Sequence, residues 1–136
     1  MERWFGELFT RGNLAALDEL LAPDFVAHGP GDSGDTHGPE AFAQWLRWYL
    51  NTFTDRVWKV HDVISAGDKV VARYSGRTTY RGGWLGIPSN DERVLETGIL
   101  IFRVEGGRVK ELWSEMSDLP IAAQLGALRA PEQDAE

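Results

Sequence analysis

The chain has 136 residues, a formal net charge of −7, no cysteine and 43% hydrophobic residues. That length suits one domain whose core needs no disulfide or metal staple, and the absent thiol excludes thiolate chemistry. A negative surplus is the wrong sign for a phosphate backbone or an anionic bilayer, so neither nucleic acid nor membrane is expected as a partner.

Taken from the start, Met1 is followed neither by an apolar run long enough to span a bilayer nor by the hydrophobic region of a signal peptide, so a cytoplasmic protein is expected. Trp4, Phe5, Leu8 and Phe9 recur at helical spacing and predict an amphipathic helix over residues 2–11, ended by Gly12. Asn13 is placed to cap a second helix with the stripe Leu14, Leu17, Leu20 and Leu21, which Pro23 should stop. Asp24 to His28 reads as a short strand, and the Gly- and Pro-rich stretch from Gly29 to Gly38 as a loop. Pro39 suits the first turn of a third helix, with Glu40 near its positive end and a broad apolar face of Phe42, Trp45, Leu46, Tyr49, Leu50 and Phe53.

From Val57 the period changes to two. Val57–Ile64 and Lys69–Tyr80 are predicted strands around an Ala66-Gly67-Asp68 turn, and Arg81–Pro88 a loop. Leu95 to Asp118 then forms a hairpin about Gly106-Gly107, whose tolerance of positive φ suits the tight turn. Residues 119–128 make a last short helix, and 129–136 a polar tail beyond a single domain of residues 1–128. The predicted class is α+β: a strongly twisted antiparallel sheet curls around N-terminal helices and encloses a pocket.

The chemistry on offer is acid–base. The glycine patterns of dinucleotide and phosphate cradles are missing, as is the Gly-x-Ser-x-Gly elbow, so neither a nucleotide cofactor nor a serine nucleophile is expected. His28, His37, Asp32 and Asp35 match no metal-ligand spacing, and no metal site is expected. The second hairpin strand carries the carboxylates of interest. Val109, Glu111, Trp113, Glu115 and Ser117 share one face; Lys110, Leu112, Ser114, Met116 and Asp118 share the other. Glu115 and Asp118 therefore point opposite ways unless a bulge intervenes. An acid beside large apolar surface is desolvated, which raises its pKa towards the range useful for proton transfer. His28 could project into the pocket as a base or donor, while Tyr74, Tyr80 or the Trp113 indole could hold an oxyanion. Trp45, Tyr49 and Phe25 are the further candidates for lining a substrate pocket.

Several motifs, in order across residues 4–128, resemble the SnoaL-like polyketide cyclase family. They include Gly12-Asn13-Leu14, Ala22-Pro23-Asp24-Phe25-Val26 with His28, and Gly38-Pro39-Glu40-Ala41-Phe42. Further along come Asp62-Val63-Ile64, Leu85-Gly86-Ile87-Pro88, Gly98-Ile99 with Ile101-Phe102-Arg103, and Gln124-Leu125-Gly126. The resemblance implies the cone-shaped α+β fold of the nuclear transport factor 2-like and ketosteroid isomerase-like superfamily, a homodimer, and cofactor-free aldol cyclisation of a polyketide. It also implies an acid near the end of the last strand. Aligned on Gln124, that position is Ser117, so the role falls to Asp118 or Glu115, with His28 assisting. The expected ligand is a hydrophobic or aromatic small molecule. Alternatives on the same fold are a non-catalytic binder, an isomerase and an epoxide hydrolase.

Overall fold

The computed structural model describes residues 2–29 and 34–127; the predicted tail and the boundary at 128 fall outside them. Six strands form one curved sheet in the order β2-β1-β6-β5-β4-β3, unclosed because β2 and β3 remain edges. These are β1 (Leu21–His28), β2 (Asp35–His37), β3 (Phe53–Ala66), β4 (Lys69–Tyr80), β5 (Arg93–Glu105) and β6 (Arg108–Met116). The helices are α1 (Leu17–Leu20), α2 (Gly38–Thr52) and α3 (Asp118–Gln124). The sheet is antiparallel except that β1 runs parallel to β6, pairing His28 with Trp113.

The period-two reading of the long strands holds, with β4 at its predicted bounds. Ala72, Tyr74, Thr78 and Tyr80 of β4, and Val94, Glu96, Leu100 and Phe102 of β5, share the buried inner face. The start of the chain differs from expectation. Residues Trp4–Thr10 wind as a wider π-helix, which sets Trp4, Phe5 and Leu8 together against the core. The expected second helix shrinks to a 3₁₀ turn over Leu14–Ala16 and the single turn of α1, and the Asn13 side chain makes no capping bond. Leu21 already belongs to β1 and Pro23 lies within that strand, because Leu21 and Ala22 are buried where the chain passes beside β6.

Helix α2 ends one residue before Phe53, which opens β3. A bulge between Thr54 and Val57, with Asp55 at φ 51°, turns Arg56 back towards the helix end. Its guanidinium donates to the carbonyls of Leu50 (2.9 Å), Phe53 (3.0 Å) and Phe9, satisfying groups the helix terminus leaves unpaired. This clasp fixes α2 and the π-helix over the inner face of the sheet. No helix among the described residues is long and apolar enough to cross a membrane.

Candidate active site

Between the helices and the inner sheet face lies a partly open cavity of about 280 Å³. Its wall is mainly aromatic because α2, the π-helix and β3 all turn large rings inward: Trp4, Phe5, Phe9, Phe42, Trp45, Tyr49 and Trp58 among them. Trp45 stacks on Tyr49 at 5.4 Å, and Trp4 meets Phe102 edge-on at 5.0 Å.

Among the described residues, two carboxyl groups reach this apolar space. Asp118 follows Leu112, Ser114 and Met116 on the cavity side of β6 and opens α3 at the rim. The residue is exposed along one side, while its carboxyl is partly withdrawn from water, and that desolvation raises its pKa above the usual aspartate value. Among the described residues it has no salt-bridge partner. The neighbouring Ser117 hydroxyl accepts the Thr97 N–H at 2.8 Å, across towards β5.

The second carboxyl is Glu96, buried on β5 at 5% exposure. Tyr49 donates to its Oε1 at 2.7 Å and Tyr74 to its Oε2 at 2.6 Å. Burial raises the Glu96 pKa, the two phenols pull it down, and the Asp118 charge adds to the rise. Burial and the adjoining carboxylate also push both phenols up. Tyr74 reaches Glu96 by lying over Gly98, where a Cβ would come within 2.7 Å of the phenol oxygen. Glu96 was not singled out in the sequence, although a signal existed: it is a carboxylate in phase with Val94, Leu100 and Phe102 on an otherwise apolar strand face. The Trp4 ring also lines the cavity, while its indole N–H is buried away from solvent with no hydrogen-bond partner among the described residues.

The other candidates distribute as follows. Trp45 and Tyr49 line the cavity, and His28 reaches its rim. Trp113 is on the opposite sheet face, stacked on His28 at 5.1 Å, and Glu115 is exposed on that face opposite Ile99. Tyr80 is fully buried beside the cavity, donating its hydroxyl to the Ile87 carbonyl at 2.6 Å and so pinning the 81–90 loop. Phe25 is core, packed edge-on against Phe42 at 5.3 Å. Asp118, Trp45 and Tyr49 therefore share one space, which Trp113 and Glu115 do not enter.

His28 is held by two acids, Nε2 to Glu111 Oε2 at 2.8 Å and Nδ1 to Asp35 Oδ1 at 3.1 Å, and Arg103 braces Glu111 at 2.6 Å. The Glu111 bond above all raises the His28 pKa, and the His28 and Arg103 bonds lower that of Glu111. A raised histidine contributes stability that is complete below its unfolded value of 6.5 and is lost as pH rises through the higher folded value. A lowered glutamate contributes above its unfolded 4.5 and loses this as pH falls through the folded value. The network should therefore stabilise most in the mildly acidic window between them. Melting temperatures of wild type and His28→Gln across that range should differ most there and converge at alkaline pH; a constant gap would show that charge plays no part.

Among the described residues no group of three or more His, Asp or Glu side chains is placed to hold a metal. The sequence profile of the SnoaL-like polyketide cyclases matches residues 1–125. Nogalonic acid methyl ester cyclase of Streptomyces nogalater is 27% identical over 105 residues, 76% of this chain and 78% of that one. Two solved structures are similar throughout. TsrD from Streptomyces laurentii shares 31% identity at a TM-score of 0.79, covering 91% of this chain and 90% of its own. IdmH from Streptomyces antibioticus, for which a polyketide cyclase role has been put forward, shares 32% at 0.77, covering 90% and 93%.

Proposed function

The chain belongs to the SnoaL-like polyketide cyclase family, and from that premise we propose that it closes a ring in a carbonyl-bearing polyketide, with Asp118 moving the proton. The observation that supports this most is the partly desolvated Asp118 carboxyl on the wall of an aromatic cavity. A carboxylate placed so is a stronger base than one in water. It takes the proton from the carbon beside a carbonyl; the resulting enolate carbon attacks a second carbonyl, forming the C–C bond. The proton then passes to the new alkoxide, so the product is an isomer of the substrate. The chemistry asks only for the chain's own side chains.

Nogalonic acid methyl ester, the compound named for the Streptomyces nogalater relative, is the first substrate to try. Conversion to a product of unchanged mass with one ketone fewer is the expected result. A product lighter by CH2, with methanol released, would assign ester hydrolysis to the cavity instead, and one heavier by a water would assign a hydrolytic ring opening such as that of an epoxide. Tight binding with no conversion would favour a second reading, a non-catalytic binding protein. That reading is supported by Ser117, which stands where the resemblance to the family implies the acid and whose hydroxyl is engaged by Thr97.

A further inference from the structure

Many carboxylates on the surface of this protein meet cations, although Asp18, Glu40, Glu92 and Glu115 have no salt-bridge partner among the described residues. Glu7 has Arg3 at 3.1 Å, Asp24 has Lys110 at 2.6 Å, Asp62 has Arg73 at 2.6 Å, and Glu111 has both Arg103 and His28. What sets the two carboxyls of the cavity apart is that, among the described residues, they lack such a partner in an apolar space where water screens them less. Among the described residues no lysine or arginine lines the cavity, and neither Glu96 nor Asp118 has a salt-bridge partner. His28 at the rim has both ring nitrogens turned to Asp35 and Glu111. Arg56, behind the wall, donates its N–H groups to backbone carbonyls of Phe9, Leu50 and Phe53.

We infer that the cavity is built for a positively charged ligand, an organic ammonium whose charge meets Glu96 and Asp118 while its carbon substituents lie against the indole and phenol rings. Three features converge on this class. Glu96 is aimed into the space with both oxygens fixed by phenols, and each oxygen retains a lone pair beyond the one a phenol occupies. Rings of Trp45, Tyr49 and Trp58 line the space, and a desolvated cation over the face of such a ring is attracted to it. The carboxyls repel each other's charge, so the missing countercharge is one that a ligand can bring. An anionic ligand would meet two acids and no cation. The inference concerns the same cavity as the cyclisation reading and adds a charge to its ligand. It rests on binding alone, so a failure to cyclise leaves it standing.

The test compares charge at constant shape. Five of the six tryptophans line the cavity, so intrinsic fluorescence reports its occupancy. Benzyltrimethylammonium and its uncharged isostere neopentylbenzene would be titrated into the wild-type protein, with phenylacetate as the anion. The cation should bind about tenfold or more tightly than the isostere, and phenylacetate most weakly. Glu96→Gln and Asp118→Asn should each reduce the cation's advantage and leave neopentylbenzene unchanged. Equal affinity for the two isosteres, or no binding of the cation, overturns the inference in the wild-type protein alone. A cation advantage that survives the double substitution overturns the assignment to these two acids.

Discussion

Asp118→Asn is expected to lower turnover by about 10²–10⁴-fold, the range that a positioned proton-transfer group contributes, while the melting temperature stays level or rises. The second half of that expectation follows from the sign of the pKa shift. A carboxyl whose folded pKa is raised is costlier to ionise in the native state than in the unfolded chain, so at neutral pH its charge opposes folding. An amide of the same shape removes that charge. It also removes the base. Few substitutions separate chemistry from structure so cleanly, because a group retained only for packing or capping would show the reverse, lost stability and intact rate. Stopped or continuous turnover assays together with thermal denaturation would check both halves. Turnover equal to wild type would remove Asp118 from the reaction, and Glu96 would then be the remaining carboxyl in the cavity.

Gly76→Ala should damage stability and the cavity together. Gly76 pairs with Trp58 across β3 and β4 and with Glu96 across β4 and β5. The Trp58 ring lies directly over it, so an added Cβ would sit 2.1 Å from Cε3 and 2.2 Å from Cζ3. Neither strand can yield without breaking its ladder, and the indole must leave. In leaving, it gives up its edge-on packing with Phe9 (5.8 Å) and Tyr74 (5.6 Å) and its N–H bond to the Phe9 carbonyl (3.1 Å). Forcing one extra methyl into such a space costs about 1–3 kcal/mol, and the lost wall of the cavity should weaken any ligand in proportion. Denaturant titration of Gly76→Ala beside Gly67→Ala would check this. Gly67 has φ of 60° in the β3–β4 turn with nothing near its added Cβ, so it controls for backbone strain alone. If Gly76→Ala is the milder of the two, the close approach of Trp58 is not what holds that glycine.

The two substitutions also mark how far the residues could be read in advance. The long strands were legible because period two survives almost without interruption from Lys69 to Tyr80, and the Gly106-Gly107 turn because little else tolerates positive φ in a tight hairpin. That Asp118 and Glu115 lie on opposite faces was legible as well, since Asp118 alternates with Leu112, Ser114 and Met116, but which face turns inward was not. The N-terminal segment was harder. Trp4, Phe5, Leu8 and Phe9 fit either an α-helix or the wider π-helix that forms, and packing against the sheet decides between them. Leu21 and Ala22 continue a helical stripe in the sequence but find their burial beside β6, a strand some ninety residues away. Trp113 shows the opposite failure: a large ring beside carboxylates suggested a pocket, and it stacks on His28 outside.

Sequence by itself determined the class, the alternation along the strands and the family, because each depends on local periodicity or on ordered short motifs. Tertiary structure alone decided that Glu96 is a buried acid between Tyr49 and Tyr74. Those three side chains come from a helix and two strands, and Tyr49 stands 47 positions from Glu96 along the chain. No periodicity within one element encodes such a distance. Curvature of the sheet and the Arg56 clasp on α2 bring them together, and the same closure withdraws both cavity acids from water.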